Sequence, residues 1–345
     1  MNASAARPLR LAINGYGRIG RAVLRALIER PSDAAALEIV AINEPADLAS
    51  IAHLTRFDST HGRFPGEVAV DGEQLRVQGR ALRVTHDRAP EAVDWSGVDV
   101  VVECSGQYAR RDELARFLAA GAPRVLVSQP AASAADVDAT ILPGVNLHTL
   151  PQDAQIVSAG SCTTNASVPV LAALDAAFGI EHVLLNTIHS VMNDQPLIDG
   201  YHARDLRCQR SAMQSIIPVE TGLARGVARL LPQLHGRVQA RALRVPVVNV
   251  SAIEMTLQCR RALDVARLHE CLHRAAAAAP DLLSLSETPC VSVDFNHEAH
   301  SAIVDLAQTR VAGEHLASLL VWFDNEWGFA NRMLDVLAHW HSLRH

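Results

Sequence analysis

Residues 9–20 read LRLAINGYGRIG, and the reading of this stretch decides the fold. LRLAIN (9–14) is a short apolar strand. GYGRIG (15–20) follows without a break, and residues 18–30 carry Ile19, Val23, Leu24 and Leu27 at helical spacing. A GxGxxG set between a strand and a helix has a physical purpose. Gly15 permits the tight turn, Gly17 lets a pyrophosphate approach the backbone, and Gly20 lets helix and strand pack closely. The helix start offers unbonded amides to the phosphates. Glycines can also simply punctuate a turn; the strand–turn–helix context is what favours a dinucleotide.

Working outward, LEIVAIN (37–43) is a second strand, ending at Asn43-Glu44, 24 residues past Gly20. A carboxylate at Glu44 can accept both ribose hydroxyls and repels a 2′-phosphate, which favours NAD over NADP. A helix over 46–56, a buried strand VDVVVECSG (98–106), a helix over 110–121 and a strand RVLVS (124–128) follow. Such alternation with continuously apolar strands implies a parallel sheet covered on both faces. Short segments within 66–87 read as added hairpin strands.

The pattern changes near residue 162. A helix over 163–178 leads into HVLLNTIHSV (182–191), and a polar, Arg-rich loop runs to about 211. VQARALRVPVV (238–248), VSAIEMTLQC (250–259), CVSVDF (290–295) and LASLLVWFD (316–324) alternate as strands. They suit a mostly antiparallel sheet with helices on one face. A last helix spans 326–342. The expected class is α/β: a Rossmann-type parallel-sheet domain, then an α+β domain built on a mostly antiparallel sheet.

Composition narrows the chemistry. The chain has 345 residues, 49% of them apolar, enough for about two domains. A net charge of −6 argues against nucleic acid and membrane surfaces as partners. MNASAARPLR (1–10) has no apolar signal core, and no stretch reaches the ~18 apolar residues of a membrane span, so a cytoplasmic protein is expected. The six cysteines are scattered without a CxxC pair, which suits reduced thiols. All 31 basic side chains are arginine. Without lysine there is no Schiff base and no P-loop lysine, so any anion must be held by arginines, hydroxyls and amides.

SAGSCTTNA (158–166) places Cys162 at a helix start among hydroxyls and an amide. A helix N-terminus stabilises a thiolate, so a lowered thiol pKa is expected, and the Cys162 N–H can serve an oxyanion. Taken alone, Cys162 can equally be an inert helix-start residue. NTIHSVMNDQ (186–195) supplies His189 at a strand end as a base for that thiol. Spacing does not prove that the two meet.

INGYGRIGR, DSTHGRF (58–64), SCTTN (161–165), IHS followed by DQ (188–195), QSIIP (214–218), RVP (244–246) and DNEWGF (324–329) together resemble the glyceraldehyde-3-phosphate dehydrogenase family, in order and over nearly the whole chain. The resemblance implies a homotetramer. It implies an NAD-binding Rossmann domain over 1–161, completed by a C-terminal helix over 326–345, and a catalytic domain over 162–325. It makes Cys162 the nucleophile and His189 the base. Gly15, Gly17, Arg18, Ile19, Gly20 and Glu44 would hold NAD, and Asn325 would orient the nicotinamide carboxamide. Ser161, Thr163, Thr221, Gly222 and Arg244 match substrate-anion positions, with Arg207 and Arg210 in a loop that approaches the cofactor or pairs with acids at a subunit contact.

Glu44, Met192, VSVDFNHEAHSAIVD (291–305) and QTRV (308–311) resemble the erythrose-4-phosphate-oxidising subgroup rather than the glycolytic members. Met192 stands where the latter carry a phosphate-binding threonine. The chain departs from its relatives at Ala159-Gly160, at Ala166 and at Phe329. Two other classes compete. HECLH (269–273) matches the zinc-hydrolase HExxH pattern, with His269 and His273 as ligands and Glu270 as base. The blander reading has that helix burying Val265, Leu268 and Leu272 while its histidines face water; no metal is then expected. A catalytically silent, NAD-holding protein is the other competitor.

Overall fold

The computed structural model describes residues 7–201 and 205–343. Most of the leading segment read for a signal (residues 1–6) and part of the Arg-rich loop (202–204) lie outside them. The chain divides into two compact units. One comprises the residues up to Ser161 together with those from Ala330 on; the other is Cys162–Phe329. Among the described residues, no helix is long and apolar enough to cross a membrane.

The first unit is built on a nine-stranded sheet. Leu9–Asn14 lies between Leu37–Asn43 and Val100–Glu103, parallel to both. Val125–Val127, Ile156–Ser158 and Ala139–Thr140 extend the sheet in parallel on one side. On the other side Arg80–Thr85 pairs parallel with Leu37–Asn43, and Gln74–Val77 and Val68–Asp71 add antiparallel strands. The central strands are apolar along their length because both faces are covered. Leu9, Leu11, Ile13, Val100 and Val101 are fully buried. The Arg18–Glu29 helix lays its apolar side, Val23, Leu24 and Leu27, into this core. A chain that runs out from one central strand in both directions leaves a crevice at the strand C-termini, where such folds bind nucleotides.

The second unit carries a seven-stranded sheet in the order 217–219, 238–244, 180–189, 251–259, 316–323, 302–312, 283–286. It is mostly antiparallel; Ile180–His189 with Val238–Arg244 and Leu283–Ser286 with Ala302–Ala312 are the parallel pairs. The helix Cys162–Phe178 buries Val168, Val170, Leu171 and Leu174.

Two local readings of the sequence differ from the structure here, and two elements go beyond them. CVSVDF (290–295) is no strand but a turn of 3-10 helix over Ser292–Phe295. Its alternation is misleading, since Val291 and Val293 are 60% and 70% exposed, and the Asp294 carboxylate takes the Val291 N–H at 2.8 Å and closes the turn. The Ala302–Ala312 strand and the Leu223–Leu230 helix were not anticipated as elements. In the Val265–Ala278 helix Val265 is exposed; Leu268, Cys271 and Leu272 face the core.

Candidate active site

In the first unit a cavity of ≈ 490 Å³ opens at the strand C-termini, lined by Asn14, Gly15, Gly17, Asn43, Glu44, Asp87, Arg88, Ser105 and Tyr108, among others. The glycines have distinct reasons. Gly15 sits at φ +84°, and a Cβ there would lie 2.5 Å from the Ser105 backbone. A Cβ on Gly20 would lie 2.4 Å from the Gly15 carbonyl oxygen, so helix and turn meet there with no room for a side chain. A Cβ on Gly17 would meet no protein atom within 4 Å, so this backbone stays bare toward the cavity. The Tyr16 N–H donates to Glu44 at 2.8 Å, fixing the carboxylate on the cavity rim. This cradle fits a dinucleotide: bare backbone for phosphates and an acid for ribose hydroxyls. Arg18 and Ile19 do not line it. Arg18 pairs with Asp58. Burial opposes ionisation of Asp58, but the Arg18 guanidinium and the amides of His61 and Thr60 outweigh it, and its carboxyl falls to about 2.

In the second unit the structure brings Cys162 and His189 together, Sγ to Nε2 at 3.7 Å. Cys162 opens its helix, and His189 ends the Ile180–His189 strand. His189 Nδ1 lies 2.8 Å from the Ser190 carbonyl oxygen, which can only accept. The tautomer follows: Nδ1 carries the proton and Nε2 presents a lone pair to the thiol. Burial holds His189 below its ordinary value, against the pull of the Ser190 carbonyl and aided by the Arg244 charge. Burial thus favours the neutral imidazole.

The thiol corrects an expectation. Burial pushes Cys162 up to about 12; the amides of Thr163 and of Cys162 itself pull down, and the acids Asp324 and Glu326 add to the rise. The helix start lowers the cost of the thiolate without producing one in isolation. Moving the proton from Sγ to Nε2 would leave opposite charges in contact at 3.7 Å.

Asn325 stands beside them. Its Oδ1 accepts from the hydroxyls of Ser190 at 3.0 Å and Ser251 at 2.8 Å. Both serines are buried, and neither was foreseen as a site residue. Asp324 sets the backbone on the other side: its carboxylate takes the amides of Glu326, Trp327 and His297 and the Asn249 side chain. Between Asn249 and Ser251, Val250 is held at φ +66°. A β-branched residue there costs on the order of 1–3 kcal/mol and persists only where its neighbours fix it.

The remaining candidates are dispersed. Arg244 is the strand partner of His189, and its guanidinium is engaged by Asp194 at 2.6 Å. Thr221 Oγ1 accepts the Leu223 N–H, and Gly222 caps the Leu223–Leu230 helix. Ser161 and Thr163 flank Cys162, both half-buried. Arg207 is exposed on a 3-10 turn, and Arg210 pairs with Asp199 on the surface. Glu270 of the HECLH stretch is bonded to Arg274, and His273 is exposed. Among the described residues no group of three metal-ligating side chains gathers there or elsewhere.

The parallel sheet and its glycine turn define a class, the dinucleotide-binding α/β proteins. Residues 9–111 match the family model described as "Glyceraldehyde 3-phosphate dehydrogenase, NAD binding domain", and residues 161–325 match "Glyceraldehyde 3-phosphate dehydrogenase, C-terminal domain". The chain belongs to the glyceraldehyde-3-phosphate dehydrogenase family.

Proposed function

We propose that the protein oxidises a phosphorylated sugar aldehyde with NAD through a covalent Cys162 adduct, and that its substrate is D-erythrose 4-phosphate, converted to 4-phospho-D-erythronate as in pyridoxal phosphate synthesis. The observation that carries the chemistry is the 3.7 Å approach of Cys162 Sγ to His189 Nε2, with the tautomer fixed by Ser190. Sγ bonds to the aldehyde carbon while its proton passes through Nε2 to the carbonyl oxygen, giving a hemithioacetal. Bound NAD supplies the hydride acceptor. As hydride leaves the carbon, Nε2 takes the hydroxyl proton back, and a thioester remains. The Cys162 N–H at the helix start is the donor for the developing oxyanion. Water then adds to the thioester carbon, the C–S bond breaks, and the acid departs.

Gly15, Gly17, Gly20 and Glu44 hold the cofactor in this reading, with Arg18 and Ile19 shaping the first helix turn and Asn325 orienting the carboxamide. Ser161, Thr163, Thr221 and Gly222 serve the substrate, and Arg207 and Arg210 belong to the approaching loop. The choice of substrate rests on Met192 and Arg244. Met192 is exposed and offers no hydrogen bond from its thioether to a phosphate. Arg244 is already paired with Asp194. A weakened phosphate site at this position suits hydrolysis better than phosphorolysis. The glyceraldehyde-3-phosphate reading is the second, favoured by the family models. We also propose that the enzyme works as a cytoplasmic homotetramer. The test is NADH formation from erythrose 4-phosphate and from glyceraldehyde 3-phosphate, each with and without inorganic phosphate. Phosphate-independent turnover of the tetrose is expected. Phosphate-dependent turnover of the triose alone reverses the choice.

A further inference from the structure

A buried carboxylate lies under the cofactor cavity and takes no part in the chemistry above. Glu103 ends the Val100–Glu103 strand and is 1% exposed. It is the last rung of a polar ladder across neighbouring strand ends. Asn14 stands in register with both Glu103 and Asn43, and Asn43 with Thr85. The bonds run in one direction. Thr85 Oγ1 donates to Asn43 Oδ1 at 2.8 Å, Asn43 Nδ2 donates to Asn14 Oδ1 at 2.8 Å, and Asn14 Nδ2 donates to Glu103 Oε2. The other carboxylate oxygen takes the Ser105 N–H at 2.7 Å and the Ser105 hydroxyl.

Nearly every partner is a pure donor toward Glu103. An amide nitrogen and a backbone N–H cannot accept, so a protonated Glu103 has only the Ser105 hydroxyl to donate to, and that bond must reverse. The place matters, because the Ser105 backbone is the wall against which Gly15 fits without room for a Cβ, and Asn14, Asn43 and Ser105 all line the cavity. We propose that Glu103 is the positioning residue of the cofactor cavity: its ionised form locks the Asn14–Asn43–Thr85 ladder and the Ser105 wall, and NAD binding is thereby coupled to partial deprotonation of Glu103.

Burial raises the Glu103 carboxyl to about 7, with the Ser105 and Asn14 bonds pulling down. The switch therefore falls near neutral pH. Other titratable or charged groups around it are Glu44, Asp87 and Arg88 on the cavity, Tyr108 and Cys104 beside the carboxylate, and His86, whose Nδ1 contacts the Glu44 carbonyl. His86 is the one imidazole in this set, so it needs its own control.

The experiment is NAD titration of the full chain by calorimetry and by quenching of protein fluorescence, from pH 5.5 to 8.0. Affinity is expected to be about tenfold weaker at pH 5.5 than at pH 8.0, one unit of pKa change on binding. Near pH 6.5, runs in two buffers of different ionisation enthalpy should reveal proton release. Glu103→Gln should bind weakly at every pH with a flat profile, Glu103→Asp should keep the slope, and His86→Gln should match the wild type. A slope that survives in Glu103→Gln, or vanishes in His86→Gln, overturns the proposal. Should Glu103→Gln fail to fold, the wild-type calorimetry decides alone: no proton exchanged between pH 6 and 7.5 overturns it.

Discussion

The cofactor cavity and the thiol–imidazole pair are made in different ways. The cavity is a product of backbone: a glycine turn, bare amides, and the terminal residues of parallel strands. Its first contacts lie within the six residues Gly15–Gly20, because a strand followed by a helix makes the crevice locally. The pair is a product of side chains from separate elements, the start of one helix and the end of one strand, 27 residues apart in sequence. His189 is fixed by a further layer, the Ser190 carbonyl, and Asn325 by the hydroxyls of Ser190 and Ser251. The cavity depends first on its glycines, and the pair on its two side chains.

That contrast can be broken in four ways. The largest effect is expected for Cys162→Ser, with kcat falling by about 10⁴-fold or more. NAD affinity should stay within about twofold, since no cavity-lining residue is touched. An affinity that collapses together with turnover means the two regions are not separable. His189→Asn comes next: the Nε2 lone pair is lost, and kcat should drop by roughly 10²–10⁴. Cys162 should also react more slowly with iodoacetamide, read by peptide mass; unchanged alkylation denies the pairing.

Gly20→Ala sharpens the other side. Its Cβ cannot enter without moving the Gly15 carbonyl, so a loss of about 1–3 kcal/mol in thermal or denaturant unfolding is expected, together with weaker NAD binding. Full NAD affinity in that variant sinks the backbone account. The smallest effect, on the order of 1 kcal/mol at pH 7 once solvent screening is counted, belongs to Asp58→Asn, which removes the carboxylate partner of Arg18. The Asp58 carboxyl sits below its ordinary 3.8, near 2. Its stabilisation is thus complete above that ordinary value and lost as pH falls through about 2. Variant and wild type should differ at pH 7 and converge at the acid end of a urea series; a pH-independent difference assigns the effect to packing instead.

Legibility in the sequence followed the same line. The parallel sheet could be read because strands covered on both faces are largely apolar, and LRLAIN, LEIVAIN and VVVE are, apart from Arg10, Glu38 and the polar last residue of each. The ladder was written there too, as Asn14, Asn43 and Glu103, each the polar last letter of an apolar strand, but only register shows that these ends are neighbours. CVSVDF misled because an alternating pattern carries no mark of the capping bond from Asp294. Ala302–Ala312 escaped notice as a strand, its pattern interrupted by the exposed Ala307 and Gln308 next to a register shift.

By itself the sequence determined the class of fold and the glycine turn, and it singled out Glu44, Cys162 and His189 as the residues to examine. These depend on local periodicity, or on residue types that few other chemistries need. Only the tertiary structure decided that the thiol meets the imidazole, which nitrogen faces it, that Arg244 is held by Asp194, and that burial keeps the Cys162 proton in place. Those outcomes depend on distance and on exclusion of water, and a linear string fixes neither until the strands are paired.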